Sequence, residues 1–152
     1  MIMKNQMLFS IAQGQKEKLD PNMQDAFERI VLAGMEFMYA NEQTAALSER
    51  AISEAEDKPT AIGEGVAGIM LNLSSKSKNS MPWEAGVIAG YALVCDALDS
   101  AEQKGLLQVD GTSVDTAMQA YGQKLMDLMG ISTDRVHSMM AEAQNKQPEA
   151  KQ

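Results

Sequence analysis

The chain has 152 residues, 45% of them hydrophobic, which is the size and composition of one globular domain. Its net charge of −8 lacks the basic footprint that binds phosphates, so no direct nucleic-acid binding is expected. Aromatic residues make up only 5%, whereas there are 13 methionines, which predicts a core of small aliphatic side chains and flexible thioethers. The first residues, MIMKNQMLFSIAQG, are poorly suited to a signal peptide, so we expect a protein made in the cytoplasm and either kept there or packaged from it.

Helical periodicity runs through almost the whole chain and predicts an all-α fold, with about five to seven helices in one bundle-like domain over residues 1–144. Asp20 and Pro21 predict a helix start, after which apolar residues recur every three or four positions to Met38. The pattern continues to Pro59 without glycine or proline. One long helix and two helices end to end are both compatible with it.

The next two predicted helices form an apolar hairpin over residues 61–98. An apolar stripe interspersed with glycines ends at Leu73, and the polar residues 74–79 predict a loop. Pro82 lies in the first turn of the following helix, which we expect to end near Lys104 with Gly105 as its C-terminal cap.

The last part of the domain is predicted to hold further helices. After the Asp110–Gly111 turn, Thr112 and Asp115 resemble a capping box, and an apolar stripe follows to Leu128. The only extended candidate, residues 106–109, is too short to found a sheet. The remaining predictions are a stop at Gly130, a short helix that starts at Ser132 or Thr133 and reaches Ala143, and a solvated tail over residues 145–152.

Metal or cofactor chemistry finds little support in the sequence, and we expect neither. His137, the lone histidine, follows Asp134 by three residues, which is half of a di-iron bundle motif, but the other half is missing. An acidic residue is expected at a helix start in any case, since its negative charge interacts favourably with the positive end of the helix dipole. The lone Cys95 lies in the most apolar stretch, and we predict it to be a small buried hydrophobe.

Catalysis likewise has no residues to support it, so we expect a protein that is not an enzyme. Asp96, Asp99 and Glu102 line one edge of the predicted helix, and we interpret them as a solvated face rather than an acid–base pair. The glycines of AIGEGVAGIM follow no strand, so they do not form a dinucleotide or phosphate cradle.

Gly86 and Gly90 have the spacing that lets two helices approach closely. The uncharged run, Ala85–Cys95, is shorter than the roughly 20 residues of a membrane span, so a buried core helix is the first interpretation. A transient membrane contact of the 61–98 hairpin is the alternative, with Trp83 as an interfacial anchor. The residues predicted to make helix-packing or oligomer contacts are Gly65, Gly68, Trp83, Gly86 and Gly90.

Three stretches, MIMKNQMLFSIAQGQ, AIGEGVAGIM and VDTAMQAYGQKLMDLMG, give the chain an acidic, methionine-, alanine- and glutamine-rich texture. In this composition it resembles the small helical virion proteins of tailed bacteriophages, both minor structural proteins and internal proteins ejected with the genome. The resemblance implies a location in the virion, many copies in a homo-oligomer, and contacts to portal, tail or capsid proteins. The alternative is a cytoplasmic acidic interaction or inhibitor module.

Overall fold

The computed structural model describes residues 3–39, 42–78 and 80–129 of the chain. These residues form six helices and no strand, which confirms the predicted all-α class. The helices are α1 (Gln6–Glu17), α2 (Pro21–Tyr39), α3 (Glu42–Glu54), α4 (Lys58–Lys76), α5 (Trp83–Gln103) and α6 (Gly111–Met129).

Helix α5 is the centre of the bundle. Its middle and C-terminal parts are almost wholly buried, with Leu93, Val94 and Leu98 fully out of solvent. Helices α1, α2, α4 and α6 all contact α5, and the most extensive contact between any two helices joins α4 to α6. The apolar run that the sequence places in this helix is therefore the core itself, and Cys95 is buried in it as predicted.

Local signals in the sequence account for several helix ends. The side chain of Asp57 caps α4 by accepting a hydrogen bond from the amide of Thr60 at 3.1 Å. At the end of α5, Gly105 has φ of +74°, and the Leu106 amide donates to the Ala101 carbonyl at 2.9 Å. This is a Schellman arrangement, and it confirms the glycine cap predicted at Gly105.

Other boundaries differ from the predictions. Helix α4 continues through Ser74 to Lys76, which the sequence assigned to a loop. Helix α6 is capped by Asp110 rather than by Thr112 with Asp115, because the Asp110 carboxylate and the Ser113 hydroxyl each accept the other residue's amide at 2.8 Å. Several predictions concern residues outside the described ranges: the stop at Gly130, the Asp134–His137 pair interpreted as a helix start rather than a metal site, the short helix that begins at 132 or 133, and the 145–152 tail.

A close helix contact occurs at Gly63, a glycine that the sequence did not single out for packing. A Cβ atom built on Gly63 would overlap the backbone carbonyl of Ala117 and lie 2.8 Å from the amide nitrogen of Tyr121. Helices α4 and α6 therefore meet backbone to backbone at this point. Within the described ranges, no helix is both long enough and apolar enough to cross a bilayer.

Candidate functional site

The carboxylates of α5 do not form the solvated edge that the sequence predicted. Asp96 and Asp99 are only 4% and 1% exposed, and Glu102 is half-buried. The prediction was wrong because the segment at the start of α1 packs over Asp99 and Glu102, while Tyr39 at the end of α2 packs over Asp96.

Asp99 and Glu102 hold the N-terminal segment on α5. The carboxylate of Asp99 accepts hydrogen bonds from the amides of Lys4, at 3.2 Å, and Asn5, at 2.8 Å. The carboxylate of Glu102 accepts one from the Asn5 side chain and one from the amide of Val109, both at 2.9 Å. These two acids thus satisfy backbone donors near the start of α1, which is a structural task.

Asp96 has a different environment, beside the end of α2. The hydroxyl of Tyr39 donates to its carboxylate at 2.5 Å. Burial raises the pKa of Asp96, and the hydrogen bond from Tyr39 opposes that rise only in part. Burial, together with the neighbouring carboxylate, raises the pKa of Tyr39 as well. The hydroxyl of Ser100 lies next to Tyr39 and is also buried.

Tyr39 and Ser100 are among the residues that line a groove of about 210 Å³ between α3 and the rest of the bundle. Its walls are mainly apolar, while charged side chains line part of it. The lining residues come from four helices and the segment after α5: Phe37, Met38, Tyr39, Ala45, Ser48, Glu49, Ala51, Ile52, Ala61, Ile62, Gly65, Val66, Ile69, Ala97, Ser100, Ala101, Lys104 and Leu106.

Helix α3 covers one side of this groove without joining the core. None of its described side chains is fully buried, and Leu47 on its outer face is 62% exposed. Glu49 forms an ion pair with Lys104 at the end of α5, which fastens α3 across the groove. The groove therefore lies between α3, which is only lightly attached, and the well-packed helices α4 and α5.

The glycines predicted to make packing contacts have different surroundings. A Cβ on Gly90 would overlap the hydroxyl of Tyr121, a fully buried side chain that donates to the Val87 carbonyl at 3.0 Å. A Cβ on Gly86 would meet the flexible end of Met81 at 2.9 Å. Both glycines thus accommodate side chains of this chain rather than a second helix backbone.

Gly65 and Gly68 lie on the exposed side of α4, and a Cβ built on either has no heavy atom within 4 Å. Gly65 lines the groove, whereas Gly68 does not. Trp83 is half-buried at the start of α5 and packs against the core. The structure therefore does not bring the five predicted contact residues together at one surface.

Sequence reasoning missed Tyr39 and Ser100, and a signal for them existed. Asp96 is flanked by Cys95, Ala97 and Leu98, and a carboxylate inside such an apolar run needs a buried hydrogen-bond donor. Throughout the described part of the chain, every buried polar side-chain atom has a hydrogen-bond partner. What the sequence could not show is that the donor for Asp96 comes from the end of α2, 57 residues away.

Cys95 and the acids offer little reactive chemistry. Burial raises the pKa of the Cys95 thiol to about 12, so the thiol stays protonated and a poor nucleophile at neutral pH. Across residues 3–39, 42–78 and 80–129, no group of three or more potential ligands could hold a metal ion. No family model matches the sequence, and neither a curated protein nor a solved structure does.

Proposed function

We propose that the protein is a non-enzymatic helical assembly protein that acts in several copies, as a structural or ejection component of a tailed bacteriophage particle. The phage context rests on the composition that the chain shares with such proteins. The assembly role rests on the placement of the methionines.

The methionines are the observation that carries this proposal. Among those whose burial the structure describes, Met70 alone is fully buried, whereas the others are half-buried or exposed on α1, α2 and α6, in the segment before α1 and in the turn before α5. Methionine is unbranched and polarisable, so it packs against surfaces of varied shape and is common at adaptable binding surfaces. Most of the half-buried thioethers pack against the core and keep part of their surface exposed, which suits them to contacts with other helices as well.

The acids also support a structural role. Asp99 and Glu102, two of the three carboxylates that recur along α5, accept hydrogen bonds from backbone amides near the start of α1 and after α5. Neither carboxylate is free to exchange protons with a substrate in this arrangement.

Two measurements test the proposal. Native mass spectrometry and sedimentation of the purified protein should give a defined homo-oligomer, and proteomics of purified phage particles from a producing lysate should find the chain in several copies per particle. A monomer at tens of micromolar that is absent from particles would contradict the proposal.

A cytoplasmic acidic interaction module is the second candidate, and the surface near α3 favours it. Exposed acids lie at both ends of α3 and in the following turn, namely Glu42, Glu54, Glu56 and Asp57, of which Glu54 pairs with Arg50. Such a surface attracts basic partners at low ionic strength and releases them as salt is added. A pull-down from host lysate that enriches one basic protein in a salt-sensitive way, with no chain found in particles, would favour this candidate over the first.

A further inference from the structure

The groove under α3 has the size of a site for one small ring. A dry apolar cavity of about 150 Å³ is known to bind benzene, and the groove measures about 210 Å³. It is therefore large enough for a single ring with one substituent. It is smaller than the pockets of roughly 300–1,000 Å³ that hold drug-sized ligands.

Most of the ligand must be apolar because the side chains that line the groove are mainly apolar. Helix α4 contributes Ile62, Val66 and Ile69, and α3 contributes Ile52. Ala97 and Ala101 of α5 form the floor, and their small side chains leave the space open. A ligand that covers these side chains removes apolar surface from water on both partners, which favours binding.

Two hydroxyl groups in the groove lining are the hydrogen-bonding groups for one polar substituent. The Tyr39 hydroxyl donates to Asp96 and accepts from the Ser100 hydroxyl, so both of its positions are used. The Ser100 oxygen can still accept a hydrogen bond. A ligand hydroxyl can donate to it.

The charges around the groove disfavour ionic ligands. An anionic group beside Tyr39 would lie close to the buried carboxylate of Asp96, and two like charges in such a site repel strongly. A cationic ligand would find both nearby carboxylates engaged, because Glu49 pairs with Lys104 and Asp96 accepts from Tyr39. A neutral molecule avoids both conflicts.

We propose that the groove between α3, α4 and α5 is a binding site for a small neutral molecule built of one apolar ring with a single hydroxyl group. This site is formed within one copy of the chain, so the inference does not depend on assembly.

Phenol, toluene and benzoate are the probes, and the readout is the methyl NMR signals of Ile62, Val66 and Ile69 during titration of the full chain. Phenol should shift these signals with a Kd of about 1 mM or tighter, within the efficiency limits of so small a ligand. Toluene has the same shape without the hydroxyl and should bind about fivefold more weakly, as one lost hydrogen bond implies. Benzoate should bind at least about tenfold more weakly than phenol because of its charge.

A pair of glycine variants on one helix locates the site. Gly65 lines the groove and a Cβ there meets no obstruction, so a leucine at this position adds volume at the groove lining, and Gly65→Leu should weaken phenol binding at least about tenfold. Gly68→Leu is the matched control, because Gly68 is equally unobstructed but does not line the groove, and it should leave the Kd unchanged. Circular dichroism establishes that both variants are folded.

The wild-type titration keeps the inference testable even if a variant fails to fold. Absence of methyl shifts up to the solubility of phenol would overturn the proposal. So would toluene or benzoate binding as tightly as phenol, or equal weakening by Gly65→Leu and Gly68→Leu.

Discussion

Asp96 is a carboxylate held almost entirely out of water on the central helix, next to the hydroxyl of Tyr39. Because burial raises its pKa above the ordinary value of 3.8, the folded protein keeps a proton that the unfolded chain has lost, over a pH interval that begins near 3.8. The free energy of unfolding therefore falls as the pH rises through this interval. At neutral pH this side chain contributes less to stability than it does in acid.

Asp96→Asn should remove that pH dependence. The amide oxygen still accepts the Tyr39 hydrogen bond, but it carries no charge to desolvate. Relative to the parent, the variant should become progressively more stable as the pH rises from about 4 to 7 in urea unfolding experiments. The exposed Asp115→Asn is the control and should show no such trend. A stability difference for Asp96→Asn that is constant with pH would contradict the expectation.

Gly90 is a residue at which even a methyl group is too large. A Cβ there would overlap the Tyr121 hydroxyl and separate it from the Val87 carbonyl, so Gly90→Ala should destabilise the protein by about 1–3 kcal/mol despite its better helix propensity. Gly90→Leu should cost more. Gly86→Ala is the comparison, and it should be nearly neutral since only the flexible end of Met81 must move. Thermal unfolding measures all three, and a neutral Gly90→Ala would show that Tyr121 has room to rearrange.

At the scale of helices, the sequence predicted best where local signals decide the outcome. The start of α2 at Pro21 and the glycine cap at Gly105 depend on residues within one turn, and the structure has both as predicted. The sequence left open where α2 ends, and Pro82, predicted in the first turn of α5, precedes that helix as its N-cap residue. The start of α1 carries a local signal that was not recognised, because the Asn5 side chain caps the helix by accepting from the Leu8 amide at 3.2 Å. The bonds from the Lys4 and Asn5 amides to Asp99 are long-range, as is the Tyr39–Asp96 pair, and no local pattern reports such contacts.

The glycines of α4 form a natural test of helix packing. Gly63→Ala should force α4 away from the α6 backbone at Ala117 and destabilise the protein by at least about 1–3 kcal/mol. Gly65→Ala and Gly68→Ala meet no obstruction, so each should stabilise the helix by up to about 1 kcal/mol. Chemical denaturation of the three variants gives the comparison directly. If all three changed stability alike, helix propensity rather than backbone contact would govern this helix.

The whole molecule combines a tightly packed centre with an adaptable surface. Around α5 the side chains are small, and close contacts at Gly63 and Gly90 leave little freedom. The outer part of the molecule is packed less tightly. It contains half-buried methionines and the lightly attached α3, whose side chains can repack. A protein of this kind can keep its fold while its surface adjusts to a neighbouring subunit.

Mild oxidation with hydrogen peroxide tests the surface methionines separately from the core. Methionine sulfoxide is polar, so oxidation of exposed thioethers such as Met7 should dissociate the proposed oligomer while the helical circular dichroism signal persists. Peptide mass spectrometry should find Met70 oxidised last, because it is only 2% exposed. Sedimentation before and after treatment, with reversal by methionine sulfoxide reductases, gives the measurement. An oligomer that survives full oxidation of the surface methionines would show that other side chains hold the copies together, and the methionine argument for assembly would fail.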